Sequence, residues 1–212
     1  PQIVKIIAST ASGELSLCSG TVIGDNDVLT AGHCFPRQIT AAIVERPDGS
    51  AASINIVYIH PGYAESAELN AIFNDVAVAQ TAQPLGLPAL GIVASRAPEE
   101  NDLIGIYGFG LDENQQLGVL RGGSMEVAMV TGNHIFARFD ELSNTCNGDS
   151  GGPATYTVVD PNGAVSAVGV VGITSTGTVQ NCAPGDLSLF TNLQHPDILS
   201  FIAEVVPEAV FY

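Results

Sequence analysis

Short apolar, β-branched runs recur along the whole chain, each closed by a turn signal, and this pattern constrains the fold more than any other feature. The runs stand at Ile3–Ala8, Leu15–Cys18, Val28–Thr30, Ile39–Val44, Ile54–Ile59, Val76–Ala79, Leu103–Phe109, Met125–Val130, Ile135–Phe139, Val165–Ile173 and Leu187–Thr191. Gly24-Asp25-Asn26-Asp27, Pro47-Asp48-Gly49, Gly122-Gly123 and Pro161-Asn162-Gly163 punctuate them, with residues that accept left-handed backbone or bond their own main chain. Asp25 and Asp27 are read as turn formers. Many short strands at this spacing predict an all-β chain, a sandwich or barrels. Only the end predicts a helix: from Pro196 the apolar Ile198, Leu199, Phe201, Ile202 and Val205 fall at steps of three and four until Pro207.

The chain has 212 residues, enough for one sizeable domain or two small units sharing a core. The Pro- and Gly-rich stretch Gln83–Gly91 is the expected crossing between halves, 1–90 and 91–212. Twenty-two acids against six Lys and Arg give a net charge of -16, which argues against nucleic acid and anionic membranes as partners. The longest uncharged run, Pro161–Gly185, is broken by Asn, Gln, Ser, Thr and Gly and does not read as a membrane span.

Cys18, Cys34, Cys146 and Cys182 form an even set without a CxxC pair. With few histidines beside them they predict two disulfides in an exported protein and no zinc site. The first residues lack a basic region followed by an apolar run. A leader is therefore expected upstream of this sequence or already removed.

The stretch Thr145–Pro153 reads TCNGDSGGP and sets Ser150 between an acid and two glycines. A serine hydroxyl is a weak nucleophile and needs an adjacent base, usually His, which in turn needs a group to hold its tautomer. Among four histidines, His33 sits in LTAGHC directly after an expected strand. SGTVIGDNDVLTAGHC, FNDVAV and CNGDSGGP, in that order, resemble the three triad segments of the chymotrypsin/trypsin family of serine proteases. IHPGY at 59–63, TGNHIFARF at 131–139 and GITSTG at 172–177 resemble further segments of that family, so the likeness covers nearly the whole chain.

The resemblance implies two six-stranded antiparallel β-barrels with a C-terminal helix, His33 and Asp75 on the first barrel and Ser150 on the second. It implies peptide-bond hydrolysis through an acyl-enzyme. Ser150 would attack the scissile carbonyl, His33 would move the proton and Asp75 would hold the imidazole. The N–H groups of Gly148 and Ser150 would form the oxyanion hole. It also implies bridges Cys18–Cys34 and Cys146–Cys182, and substrate contacts at Asn144, Thr145, Ser175, Thr176, Gly177 and Gly185. His60 resembles a structural position; His134 and His195 are read as surface or helix-start residues.

Three positions depart from the family pattern. In the family, the aspartate at Asp149 is neutralised by the amine of an Ile released on activation. Ile3 in PQIVKIIAS stands too close to Cys18 for that part. An unpaired buried carboxylate is costly, and the cations on offer are Lys5, Arg37, Arg46, Arg96, Arg121 and Arg138. Arg138, nearest in sequence, is the expected partner. At the specificity pocket, Asn144 resembles the floor and Gly177 and Gly185 the walls, which favours a neutral side chain before the cut bond. The short segment CAPGDL leaves Asp186 as the alternative floor, favouring basic side chains. Phe136 stands where a bridging cysteine is expected.

Two other readings compete. Gly148-Asp149-Ser150-Gly151-Gly152 also satisfies the G-x-S-x-G elbow of α/β-hydrolases, with Asp186 and His195 as later partners. The chain lacks the alternating strand and helix pattern that fold needs. The second is an inactive or zymogen-like homologue that binds peptides, supported by the unanswered Asp149 alone. The expectation is a secreted, monomeric serine endopeptidase acting on polypeptides, open to protein inhibitors, with no cofactor and no metal.

Overall fold

The computed structural model describes residues 2–36, 38–139, 143–160, 162–178 and 182–212. Arg37, among the cations considered above, and Pro161, in one expected turn, lie outside the described residues.

Strands β1 (Ile3–Thr10), β2 (Leu15–Val22), β3 (Asp27–Thr30), β4 (Ile39–Glu45) and β5 (Ala51–Ile59) belong to the first barrel. After the small hairpin of β6 (Ala64–Ser66) and β7 (Ala71–Phe73), β8 (Ala77–Thr81) completes it in the order β1-β2-β3-β8-β5-β4. The second barrel takes β9 (Leu103–Gly108), β10 (Arg121–Val130), β11 (His134–Arg138), β12 (Pro153–Val159), β13 (Val165–Gly177) and β14 (Leu187–Asn192), ordered β10-β11-β14-β13-β12-β9. Every pairing in both barrels is antiparallel. Closure removes the exposed sheet edges that short strands otherwise present.

Side chains that alternate along each strand send one set inward. Ile6, Val22, Leu29, Val44 and Val78 fill the first barrel, and Ile104, Met125, Ile135, Val171 and Phe190 the second. Burying each such side chain contributes about 1.5–3 kcal/mol before the entropy of ordering is subtracted.

Among the described residues the one α-helix is α1 (Pro196–Val205). His195 caps it by accepting from the Asp197 N–H at 3.3 Å, Pro196 occupies its first turn, and Ile198 and Ile202 are buried. Those two join the first barrel's core together with Val170 and Ile173 of β13. One apolar cluster therefore spans the barrel boundary and couples the two halves mechanically.

Two expectations fail here. Gly122 and Gly123 lie inside β10, paired with Tyr107 and Ile106, instead of forming a turn. A Cβ on Gly122 would stand 2.6 Å from the Tyr107 ring and one on Gly123 2.0 Å from Ser143 Oγ, so these glycines make room for packing. Asp27 does more than form a turn: it opens β3, is 3% exposed, and accepts from Gln80 Nε2 at 2.7 Å. The strand β12 (PATYTVV) escapes the apolar pattern because its Thr and Tyr residues interrupt the run.

Candidate active site

His33 sits in a short 3-10 turn, Gly32–Cys34, immediately past β3. Asp75 follows β7 after a left-handed kink at Asn74 (φ 49°) and is fully buried. These two local structures bring the side chains together although 42 positions separate them: His33 Nδ1 and Asp75 Oδ2 are 2.7 Å apart. The His33 backbone N–H donates to Asp75 Oδ1 at 2.9 Å, and Ser175 Oγ on β13 donates to Oδ2 at 2.5 Å. Burial pushes the Asp75 carboxyl up, but the His33 bond and charge, with Ser175 and the His33 amide, outweigh it and hold the group below its ordinary value. An ionised carboxylate only accepts, so Nδ1 carries the imidazole proton and Nε2 is left as the acceptor.

The Ser150 loop is held against the first barrel by its main chain. The Ser150 carbonyl accepts from the Ser19 N–H at 2.8 Å and lies 3.8 Å from Cys34 Sγ, next door to His33. Gly151 N–H donates to Thr174 O at 2.8 Å, tying the loop to β13. At φ +82° a Cβ on Gly151 would stand 2.0 Å from Thr30 Oγ1 and 2.3 Å from Ser19 O, so only glycine fits between Ser150 and the first barrel. Gly148 has φ +100° and backs onto Gly110 Cα and Leu117. Bridges Cys18–Cys34 and Cys146–Cys182 tie down the segments on both sides.

Ser150 lines a cleft of about 280 Å³ with Asn70, Thr174, Ser175, Thr176, Gly177 and Asp186, among others. Ser188 Oγ donates to Asn144 Oδ1 at 2.8 Å and lies 2.7 Å from Thr145 Oγ1. Asn144 Nδ2 donates to Asp186 Oδ2 at 3.3 Å, and Thr178 Oγ1 to Asp186 Oδ1 at 3.0 Å. The two alternatives for the pocket floor thus touch each other. Asp186, 3% exposed, lines the cleft; Gly185, an expected wall, occupies a left-handed turn with no neighbour within 4 Å of a Cβ.

The pairing of Arg138 with Asp149 is not found. Register sets Arg138 opposite Glu126 across β10 and β11, so its guanidinium binds Glu126 and approaches Glu100 at 3.6 Å. Asp149 is answered by backbone instead: Gly110 N–H donates to Oδ1 at 2.8 Å and Cys146 N–H to Oδ2 at 2.9 Å. Burial still pushes its carboxyl above the ordinary value, with Arg121 opposing the rise. Arg121, bound to Asp112 at 2.5 Å, shares with Asp149 a cavity of about 430 Å³ that reaches Asn144 and Cys146.

The other histidines separate clearly. His60 is buried and accepts from Gly62 N–H at 3.0 Å, a structural role. His134 is no surface residue: it is 5% exposed and its Nε2 lies 2.8 Å from Ile72 O. Sequence reasoning missed Asn70 at the cleft and passed over Arg121, one of the cations on offer, in favour of Arg138. Neither carries a motif; the left-handed φ of 46° at Asn70, between β6 and β7, is visible only in three dimensions.

Two closed barrels with a His–Asp pair and a serine at their junction define a class, that of chymotrypsin-like serine proteases. A family model described as Trypsin matches residues 2–202, and the chain belongs to that family as a serine endopeptidase with polypeptide substrates. It is 29% identical over 191 residues to chymotrypsin-like elastase family member 1 of Canis lupus familiaris, covering 75% of this chain and 70% of that protein. Chymotrypsin-C of Rattus norvegicus is 28% identical over 195 residues, covering 78% and 69%. Brachyurin of Leptuca pugilator is 28% identical over 204 residues, covering 86% and 85%.

Proposed function

We propose that the protein is a secreted endopeptidase that cuts through an acyl-enzyme, with Ser150 as nucleophile, His33 as base and then acid, and Asp75 as the group that orients it. The observation that carries this reading is the 2.7 Å contact between His33 Nδ1 and a buried Asp75. Ser150 Oγ loses its proton to His33 Nε2 as it attacks the scissile carbonyl. The imidazolium is stabilised by Asp75 and returns the proton to the leaving amine. Water then repeats the sequence to release the acid. The N–H groups of Gly148 and Ser150 receive the negative oxygen of each tetrahedral intermediate, and such donors are worth about 2.7–4 kcal/mol each.

In this reading Thr176 and Gly177 flank the substrate backbone, and Thr145 lines the pocket. The residue before the cut bond is neutral, because Asn144 carries no charge and both oxygens of Asp186 already accept from Asn144 and Thr178. A second reading, a basic residue, is favoured by the presence of Asp186 in the cleft wall. Secretion is supported by the two disulfides, which persist in oxidising compartments. The functional division falls at 1–90 and 91–212, the protein acts as a monomer without a cofactor, and its acidic surface disfavours nucleic acid and anionic membranes.

The test is digestion of an unbiased peptide mixture by the full chain, with Ser150→Ala and Asp75→Asn as controls and cut sites read by mass spectrometry. Cuts abolished by Ser150→Ala support the mechanism, and the residue before each cut separates the two pocket readings. A folded protein that makes no cuts would leave the peptide-binding homologue as the function.

A further inference from the structure

The segment that carries Asp75 belongs to the first barrel, yet side chains of the second barrel hold it from both ends. Residues His134 and Thr191 stand opposite each other in the β11–β14 register. Both reach across the barrel boundary to main-chain carbonyls: His134 Nε2 to Ile72 O at 2.8 Å, and Thr191 Oγ1 to Asp75 O at 3.0 Å. A carbonyl only accepts, so His134 donates through Nε2–H. The two carbonyls bracket Phe73 and Asn74, and the left-handed φ of 49° at Asn74 bends the chain between them.

We propose that His134 and Thr191 form a backbone clamp that sets the position of the Asp75 carboxylate, which makes His134 a positioning residue for the His33–Asp75 pair. The inference rests on the reading of Asp75 as the triad acid. His134 is built for the task, being 5% exposed with its ring edge-on to Phe73 at 5.4 Å and to Phe136 at 5.9 Å. Its own main chain is anchored, since His134 N–H donates to Thr131 Oγ1 at 3.0 Å while Asn192 Nδ2 holds Thr131 O at 2.8 Å. A phenylalanine would satisfy the aromatic contacts. It would not supply the donor to Ile72 O, and a part-buried carbonyl that loses its donor shifts to find another.

The clamp matters because the two halves of the reacting group ride on different barrels. His33 and Asp75 come from the first, whereas Ser150 and the Ser175 hydroxyl on Asp75 Oδ2 come from the second. Fixing Ile72 and Asp75 to β11 and β14 ties the acid to the barrel that carries the nucleophile, and misplacement of a catalytic group by about 1 Å can cost on the order of 100-fold in rate.

The experiment compares His134→Phe, which keeps the ring and loses the donor, with His134→Gln, which keeps an N–H donor, in the full chain. Thr191→Val and Asp75→Asn run in parallel. Rates on a small ester substrate are corrected for the folded fraction by chemical denaturation. The expected result is a kcat about 10- to 100-fold lower in His134→Phe with KM unchanged. Activity recovers in His134→Gln. The acid limb of the kcat/KM profile moves to lower pH in His134→Phe, because a less well held Asp75 stabilises the His33 imidazolium less. Thr191→Val should shift kcat and the profile the same way, and it carries the test if His134→Phe does not fold. A wild-type kcat and pH profile in folded His134→Phe, or equal losses in the Phe and Gln variants, would overturn the clamp. A wild-type kcat in Asp75→Asn would instead overturn the reading of Asp75 on which it stands.

Discussion

The carboxylate of Asp149 occupies the space that a side chain on Gly110 would need. A Cβ on Gly110 would stand 2.3 Å from Oδ2, and the Gly110 N–H donates to Oδ1 at 2.8 Å. Gly110→Ala therefore pushes Asp149 off the amide that answers its charge and drags the Gly148–Ser150 loop with it. The variant should lose about 1–3 kcal/mol of stability and about 100-fold in kcat, the scale of a lost oxyanion donor. Gly132→Ala, where a Cβ meets nothing within 4 Å, is the matched control. It should stay within about 0.5 kcal/mol of wild type in chemical denaturation.

The buried acids divide by sign. Burial, opposed by the Gln80 bond and reinforced by the neighbouring Glu208, raises the Asp27 carboxyl, so the folded protein holds that proton more tightly than the unfolded chain. The associated stability is complete below the unfolded carboxylate's pKa and is lost as pH rises through the raised folded value. Asp27→Asn, which keeps an oxygen for Gln80, should gain Tm on wild type as pH is raised past the ordinary carboxylate range. A Tm difference independent of pH would refute this. Asp75 is lowered, so its contribution runs the other way and disappears as pH falls through its folded value.

Orientation of the base offers a sharper kinetic readout. Asp75→Asn keeps the shape of the acid but leaves Nδ1 facing an uncharged amide, so His33 loses both its tautomer and the charge that stabilises its protonated form. In the proposed mechanism kcat at neutral pH falls about 10⁴-fold, measured on a peptide cut by the wild type, with KM nearly unchanged.

The Cys146–Cys182 bridge closes a loop with a sequence separation of 36 and ties the Asn144–Ser150 segment to the opposite cleft wall. The double variant Cys146→Ala/Cys182→Ala should lose about 2–5 kcal/mol in guanidinium denaturation. A larger fractional loss of kcat/KM for peptides than for small esters should accompany it, because Cys146 and Cys182 line the cleft that holds Ser150.

Bulk at Gly177 tests the cleft directly. A Cβ there would stand 2.8 Å from Asp186 Oδ2, so Gly177→Val crowds the wall and fills the entrance. Cleavage after large residues should fall by more than about 10-fold while cleavage after Gly and Ala persists, since a single methylene in a pocket is already worth about 10- to 200-fold. A uniform loss over all residues would show that Gly177 does not shape the pocket.

Much of this was legible in the linear chain, because the features involved are local. Strand runs and turn residues encode alternation and reversal within a few positions, and Pro196 to Pro207 brackets the helix with its own start and stop signals. The order of the segments around His33, Asp75 and Ser150 points to the family for the same reason: each is a short motif whose residues serve one turn. The partner of Asp149, the burial of His134 and the strand role of Gly122 and Gly123 were decided only in three dimensions. Arg138 is close to Asp149 in sequence, but the β10–β11 register delivers it to Glu126, and amides of Gly110 and Cys146 do its expected work. His134 meets Ile72 across 62 positions, and Gly110 meets Asp149 across 39. Contacts of that separation depend on how two closed barrels dock, and docking is set by the summed packing of many side chains instead of by any neighbouring pair.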